Sequence, residues 1–172
     1  MDGDFMEKVS DHLKKDLKII FIGFNPGVTS SETGHHYAHP TNRFYKLLYE
    51  SGLTPRLYKP EEDHKLLELG YGLTNIVQRP TQSAEKIKSS EYKKGREILL
   101  EKLKKYQPEV ACFTGIGVYK EFAQKTNIKR GLQPVEHVQG VKEFVISSPS
   151  GLNRTPYEKQ LSMYKDLKEL IE

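Results

Sequence analysis

A short polar segment, Gly23-Phe24-Asn25-Pro26-Gly27, directly follows the first apolar run of the chain and carries a side chain suited to water positioning. The carboxamide of Asn25 cannot take up a full proton at neutral pH, but its oxygen can accept a hydrogen bond from a water molecule and direct that water. Pro26 keeps Asn25 out of helical conformations, and glycines allow a ligand to approach the backbone. Because Asn, Pro and Gly also dominate ordinary turns, the segment alone favours a structural turn over a catalytic loop.

The segment 34–44 (GHHYAHPTNRF) combines imidazole, aromatic and basic side chains. Its three histidines suggest metal ligands, but no cysteine lies near them, and we expect no metal site. We favour a loop that surrounds a planar ligand, in which Tyr37 can stack on a base. In the structural alternative, the loop leads into a helix, Tyr37 packs and Arg43 is solvated.

A third segment, 74–81 (TNIVQRPT), offers groups that recognise nucleotides. Asn75 and Gln78 could read a base edge, and Arg79 could meet a phosphate. A solvated strand end is equally compatible with this sequence.

A fourth segment, 147–154 (SSPSGLNR), places the apolar Leu152 inside a polar loop. Leu152 could act as a wedge in a base stack with Arg154 on a phosphate, or it could fold back onto the core. Ser150 as a nucleophile is a distant alternative, because the segment lacks the glycine-x-serine-x-glycine elbow and the acid and histidine that follow it. The turn Gly115-Ile116-Gly117 is a weak phosphate signal, since most such turns only link a strand to a helix.

Apolar runs and helical periodicities alternate along the chain, and they predict the elements that position these segments. We expect strands at 17–23, 73–77, 110–114 and 144–147, and helices at 42–51, 90–106, 116–125 and 156–171. Ser90 is expected to cap its helix, with Ile98, Leu99 and Leu103 on one face. For the last helix we expect Thr155 as N-cap, followed by Pro156 and a capping-box Glu158.

This alternation predicts an α/β fold with a parallel sheet and helices on both faces. Ligands of such sheets bind beyond the carboxyl ends of the strands, which is where the polar segments fall.

Composition bounds the class of protein. The chain has 172 residues, a net charge of +4 and 36% hydrophobic residues, which suits one mildly basic domain that could bind a polyanion. Its single cysteine, Cys112, excludes an internal disulfide and a cysteine zinc site, and we expect it to pack as a small hydrophobe in a reducing compartment. The segment 1–5 does not have the order of a signal peptide, and no apolar run is long enough to span a bilayer, so we expect neither secretion nor membrane insertion.

Taken in order, these segments resemble the mismatch-specific uracil/thymine DNA glycosylases of the uracil-DNA glycosylase superfamily. The matching stretches are GFNPG (23–27), GHHYAHPTNRF (34–44), LTNIVQRPT (73–81), KYQPEVACF (105–113) and SPSGLNR (148–154). GHHY and GLQP (131–134) are closer to the eukaryotic thymine-DNA branch, and SGLNR is closer to the bacterial branch.

The resemblance implies a monofunctional glycosylase that acts on double-stranded DNA with a G·U or G·T mismatch. It excises uracil opposite guanine, with thymine and etheno-cytosine as alternative substrates, and leaves an abasic site. It implies one three-layer α/β/α domain over 1–172, with a small, mainly parallel central sheet and 1–16 as an N-terminal extension. It implies no metal and no cofactor, and we expect an intracellular monomer. The alternative is a non-catalytic nucleic-acid or nucleotide-binding α/β domain.

The resemblance also implies residue roles. Asn25 would hold the attacking water. The base pocket would be formed by Gly23, Phe24, Ser30, Tyr37 and Asn75. A wedge that addresses the orphaned guanine would be formed by Gly151, Leu152 and Asn153. We expect phosphate contacts from Ser150, Arg154 and Arg43.

The chain departs from the family pattern at two positions. Ser148 stands where bacterial relatives carry asparagine, which removes one polar contact near the base. Ser30 stands where thymine-processing relatives tend to have alanine, which favours uracil over thymine as the substrate.

Overall fold

A five-stranded sheet forms the centre of the protein, as seen in a computed structural model that describes residues 9–172. The strands are β1 (Ile19–Gly23), β2 (Tyr71–Asn75), β3 (Val110–Thr114), β4 (Gly131–Leu132) and β5 (Lys142–Ile146). Their order in the sheet is β2-β1-β3-β5-β4. All pairs are parallel except β4 with β5, which is antiparallel.

Within residues 9–172, five α-helices accompany these strands: four lie between strands in the chain, and the fifth follows β5. They are α1 (Val28–Thr33), α2 (Phe44–Glu50), α3 (Ser89–Tyr106), α4 (Ile116–Ala123) and α5 (Tyr157–Ile171). The same part of the chain contains 3-10 helices at Pro60–Leu69 and Ala84–Lys86. In the part of the chain that the structure describes, no helix has the length and apolar character needed to cross a bilayer.

Alternating side chains of β1 divide the core into two layers. Ile20 and Ile22 belong to the cluster formed with α3 and α4, whereas Ile19 and Phe21 belong to the cluster formed with α2 and α5. The predicted three-layer α/β/α fold with a small, mainly parallel sheet is therefore confirmed. Cys112 is fully buried on the α2 and α5 side, so it packs as a small hydrophobe, and burial raises the pKa of its thiol.

Two predicted strands begin and end earlier than the apolar pattern indicates. The second covers Tyr71–Asn75 rather than 73–77, because the buried Ile76 and Val77 lie beyond the ladder. Their N–H groups donate to the carbonyls of Gly23, the last residue of β1, and of Phe24, at 2.9 Å each. The last strand is likewise Lys142–Ile146 rather than 144–147. At the ends of these strands, apolar residues therefore indicate burial and do not indicate that the residue is hydrogen-bonded within the sheet.

The predicted cap of α3 is wrong. Ser90 lies inside the helix, and the N-cap is Lys88, whose N–H donates to the Glu91 carboxylate at 2.8 Å. Only Leu99 and Leu103 of the predicted apolar face are buried. Ile98 is 44% exposed, because neighbouring positions of an α-helix differ by about 100° in direction, so that Ile98 points away from the side on which Leu99 is buried.

The predicted cap of α5 is also wrong. Pro156 rather than Thr155 is the N-cap, and it makes no side-chain capping bond. The N–H of Thr155 instead donates to Asn153 Oδ1 at 3.1 Å, which ties the start of this helix to the preceding loop.

The predicted N-terminal extension, 1–16, is described from Val9 onward, and its residues 1–8 lie outside the described part. Val9 is buried, and His12 forms an antiparallel bridge with Leu73 of β2. Lys102 of α3 donates to Asp11 at 2.6 Å. Residues 9–12 thus pack on the outer side of β2.

Candidate active site

A cavity of about 670 Å³ opens at the carboxyl ends of the parallel strands. Its walls come from the segments 23–30, 36–42, 81–84 and 148–152, together with Asn75 and Thr114 at the strand ends. Segments from distant parts of the sequence therefore meet at one edge of the sheet, as expected for this topology. No Asp or Glu is among the described residues that line the cavity.

Asn25 lies on the cavity wall with its amide orientation fixed. Its Nδ2 donates to the carbonyl oxygen of Arg79 at 2.7 Å and to Thr81 Oγ1 at 2.8 Å. Because a carbonyl can only accept, the nitrogen must face Arg79, and Oδ1 is left as the acceptor. Thr81 donates its own hydrogen to the carbonyl of Ser83 at 2.7 Å, which agrees with its acceptor role toward Asn25.

Gly23 forms a floor of the cavity on which three polar groups converge. A Cβ atom at this position would lie 2.8 Å from Asn75 Oδ1, 3.4 Å from the Tyr37 hydroxyl and 3.6 Å from Thr114 Oγ1. A side chain here would occupy that space, so glycine keeps the floor open. The predicted pocket residues Gly23, Tyr37 and Asn75 are thus neighbours in the structure.

Tyr37 is held on this floor by contacts on two sides. Its ring stacks on Phe44 with the centroids 4.0 Å apart, and its backbone adopts φ +53°, a conformation that is uncommon for residues other than glycine. Thr114 Oγ1 donates to the carbonyl of Ile22 at 3.1 Å, so the Tyr37 hydroxyl, 3.2 Å away, is the donor of their shared bond. Burial raises the pKa of Tyr37 far above its ordinary value, which keeps the hydroxyl protonated.

Thr114 was missed by sequence reasoning, although it is the last residue of a buried strand at the carboxyl edge. Thr81 was missed as well. The position of Thr114 at the carboxyl end of a parallel strand was the only sequence feature that indicated its role. Thr81 bonds Asn25, which is 56 residues away in the chain, so no local pattern indicates this contact.

Ser30 and Phe24 support the wall rather than offer free polar atoms. Ser30 is buried, and its Oγ accepts the Ala38 N–H at 3.2 Å, which joins α1 to the Tyr37 loop. The ring of Phe24 packs on Gly117 of α4, where a Cβ would lie 2.6 Å from Phe24 Cζ. The second glycine of the 115–117 turn therefore has a packing role, which accounts for it without a phosphate.

Asp63 holds the histidine loop, defined here as residues 34–39, through hydrogen bonds to His35 and His36. This carboxylate is 1% exposed and accepts the His36 N–H at 2.9 Å, and its second oxygen lies 3.1 Å from His35 Nδ1. Burial alone would raise the pKa of Asp63, but the His12 ring, the His36 N–H and the His35 ring lower it to about 2. Burial lowers the pKa of His36, whose Nε2 lies 2.8 Å from the Ser10 carbonyl.

His12, His36 and Asp63 are the one set within residues 9–172 whose ligand atoms are close enough to share a metal ion. The carboxylate already accepts hydrogen bonds from the loop that it holds, which gives the cluster a structural role. The expectation that no metal takes part stays a prediction.

The wedge loop, defined here as residues 148–153, forms one rim of the cavity. Leu152 at its tip is 91% exposed, which excludes the alternative that it folds back onto the core. The amide of Asn153 donates to Ser147 Oγ and to the Ser148 carbonyl, both at 2.7 Å. The Asn153 side chain therefore braces the loop, and a contact to guanine stays a prediction.

The candidate phosphate ligands have different surroundings. Arg154 is exposed, whereas Arg43 donates Nη1 to the carbonyls of Ser150 and Asn153 at 3.2 and 3.3 Å. Ser150 Oγ accepts the Leu152 N–H at 3.2 Å, and no described contact joins it to a histidine, which disfavours an esterase.

Two residues of the third segment do not line the cavity. Arg79 donates to Glu91 at 2.6 Å, and Gln78 donates to Asp11 at 3.3 Å. Their expected contacts to phosphate and base are therefore not supported by the structure. Of the three candidate ligands Asn75, Gln78 and Arg79, Asn75 is the one that lines the cavity.

Together the fold and the cavity define a three-layer α/β protein with a ligand site at the carboxyl ends of its strands. The sequence model of the uracil DNA glycosylase superfamily matches residues 10–171, and the chain belongs to that superfamily.

A similar fold occurs in a solved structure, the solution NMR structure of a Methanosarcina acetivorans protein provisionally assigned as a uracil DNA glycosylase. The two chains share 19% sequence identity with a TM-score of 0.66, and the match covers 96% of this chain and 98% of that one. At this identity the likeness supports the fold alone.

Proposed function

We propose that the protein is a monofunctional DNA glycosylase that hydrolyses the N-glycosidic bond of uracil mispaired with guanine in double-stranded DNA. The observation that carries this proposal is the fixed amide of Asn25, which leaves Oδ1 as a hydrogen-bond acceptor on the wall of a cavity of about 670 Å³. Membership in the uracil DNA glycosylase superfamily supports the same class of activity.

The first step is extrusion of the base, which costs a few kcal/mol and costs least at a mismatch. Leu152 is the exposed apolar group on the rim of the cavity, and its insertion into the vacated stack would offset part of that cost. The extruded pyrimidine would then rest near Gly23, where Asn75 Oδ1 and the Tyr37 hydroxyl face the same space.

The second step is bond cleavage at C1′. The bond between C1′ and the base nitrogen breaks while positive charge grows on the sugar and negative charge grows on the departing base. Backbone N–H groups of the turn at Gly23 and Phe24 would stabilise the anionic base, in the manner of an oxyanion hole. A water held by Asn25 Oδ1 adds to C1′ and loses its proton to solvent, and the base is protonated after departure.

The absence of a carboxylate from the described cavity wall has a kinetic consequence. The attacking water is oriented but not deprotonated by a general base, so the chemistry is expected to be slow. We expect uracil to be processed better than thymine. Ser30 lines the pocket at a position where thymine-processing relatives tend to have alanine.

The test is cleavage of duplexes that carry G·U, G·T or A·U, followed by alkaline scission of abasic sites. We expect scission on G·U above the no-enzyme control, and its absence contradicts the proposal. Asn25→Ala should lower cleavage by at least about 100-fold while DNA binding is kept. Salt-dependent DNA binding by a wild-type protein that releases no base would instead favour the non-catalytic alternative.

A further inference from the structure

Arg43 connects the loop of the cavity to the wedge loop. Its backbone N–H donates to the Pro149 carbonyl at 2.8 Å, and its Nη1 donates to the carbonyls of Ser150 and Asn153. These acceptors lie before and after the tip residues Gly151 and Leu152. One arginine therefore holds both arms of the tip.

The tip is also confined by its neighbours. A Cβ atom at Gly151 would lie 2.2 Å from Thr41 Oγ1, so the loop lies directly against the segment that leads into α2. On its other side, the Asn153 amide donates to the hydroxyl of Ser147, the residue that follows β5. Leu152 is thus an exposed apolar side chain on a loop whose backbone is held from two directions.

Such bracing matters because an inserting side chain gains from being ordered before it meets DNA. A flexible tip would lose conformational freedom on insertion, and that loss would subtract from the free energy available to open the base pair. Hydrogen bonds from a guanidinium to carbonyls are charge-assisted and are stronger than neutral ones.

We propose that Arg43 is a positioning residue that holds Leu152 in the geometry required for insertion, and that it acts on base opening rather than on bond hydrolysis. This inference rests on the proposed glycosylase function. It replaces the expectation that Arg43 binds a phosphate, because its Nη1 is directed at two loop carbonyls.

The proposal predicts different effects on two substrates, uracil in duplex DNA and uracil in single-stranded DNA. Uracil in a G·U duplex must be extruded, whereas uracil in single-stranded DNA has no partner and little stacking to lose. Loss of the brace should therefore slow only the duplex reaction, while loss of the pocket should slow both reactions.

The experiment measures single-turnover cleavage rates of the full chain on both substrates. We expect Arg43→Met to lower the duplex rate about tenfold and to change the single-strand rate less than about twofold. Leu152→Ala should show the same pattern, and the double variant should be no slower than the slower single variant. Arg56→Met is the matched control and should leave both rates unchanged. Arg56 follows α2 in the chain and contacts Glu62 and the Tyr58 ring, neither of which lines the cavity.

Five results contradict the proposal. An unchanged duplex rate in Arg43→Met shows that the brace is not needed, and equal losses on both substrates show a structural role. Effects of Arg43→Met and Leu152→Ala that multiply, or full rescue of the duplex rate by Arg43→Lys, indicate a phosphate contact instead. A wild-type protein that cleaves neither substrate overturns the proposed function and this inference with it, whereas the other results overturn the inference alone.

Discussion

The Thr81 hydroxyl accepts a hydrogen bond from the Asn25 amide at 2.8 Å, across a separation of 56 residues. Together with the bond to the Arg79 carbonyl, this contact uses both hydrogens of the amide. The orientation of Asn25 is therefore set by the segment that follows β2, and the acceptor oxygen is the atom available to a water molecule.

Removing this support should reduce activity without removing the catalytic amide. We expect Thr81→Val to lower the single-turnover rate on G·U duplex about tenfold, because one amide hydrogen of Asn25 loses its acceptor. Thr81→Ser keeps the hydroxyl and should retain most of the activity. If the valine variant is as active as wild type, the orientation of Asn25 does not depend on this bond.

A methyl group at Gly23 should close the floor of the cavity. In Gly23→Ala, the new Cβ would lie 2.8 Å from Asn75 Oδ1 and close to the Tyr37 hydroxyl. We expect at least about a 100-fold loss of cleavage and a decrease of about 1–3 kcal/mol in the free energy of unfolding. Gly27→Ala is the control for stability, since nothing lies within 4 Å of its Cβ, and a similar loss of stability there would exclude overpacking as the cause.

The Phe24 ring offers a test of the 115–117 turn. In Gly117→Ala, the added methyl group would lie 2.6 Å from Phe24 Cζ and would displace that ring. We expect urea denaturation to show a loss of about 1–3 kcal/mol in the free energy of unfolding. Full stability combined with weaker binding of inorganic phosphate would instead indicate that the turn is a phosphate site.

The anchor of the histidine loop predicts a dependence of stability on pH. Burial lowers the pKa of His36 below its ordinary value of 6.5, so the unfolded chain binds the proton more readily. The contribution of His36 to the free energy of unfolding is therefore complete above pH 6.5 and decreases as the pH falls below that value. The pKa of Asp63 is lowered to about 2, and its contribution is lost only as the pH falls from near 4 toward 2.

Urea unfolding between about pH 7.5 and pH 5 isolates the histidine part of this effect. We expect the free energy of unfolding to fall with pH in the wild type and to fall less in His36→Gln. The exposed His39 provides the control, and His39→Gln should keep the wild-type slope. Equal slopes in the wild type and His36→Gln would show that another group is responsible.

Much of the fold and part of the candidate site could be predicted from the sequence. Buried runs such as that of β1 predicted the strands, because a parallel sheet covered on both faces selects continuous apolar segments. The resemblance to the glycosylases implied that Gly23, Tyr37 and Asn75 share one pocket with Asn25, and the structure places these four residues around one cavity.

Other features depended on contacts between distant segments. Arg43 and Asn153 had the residue types of DNA ligands, but in the structure both donate to carbonyls of the wedge loop, and Asn153 also donates to the Ser147 hydroxyl. Asp63 lies in a polar stretch with no local pattern, and its role arises only when the histidine loop folds over it. Such partners follow from tertiary packing, which local sequence patterns do not specify.

Both outer edges of the sheet are short or occupied, which bears on self-association. At one edge, the His12 and Leu73 backbones exchange two hydrogen bonds of 2.9 Å along β2. At the other, β4 extends over only two residues, Gly131 and Leu132. Aggregation through strand addition needs a long row of unpaired backbone groups, and within residues 9–172 the sheet offers such a row at neither margin.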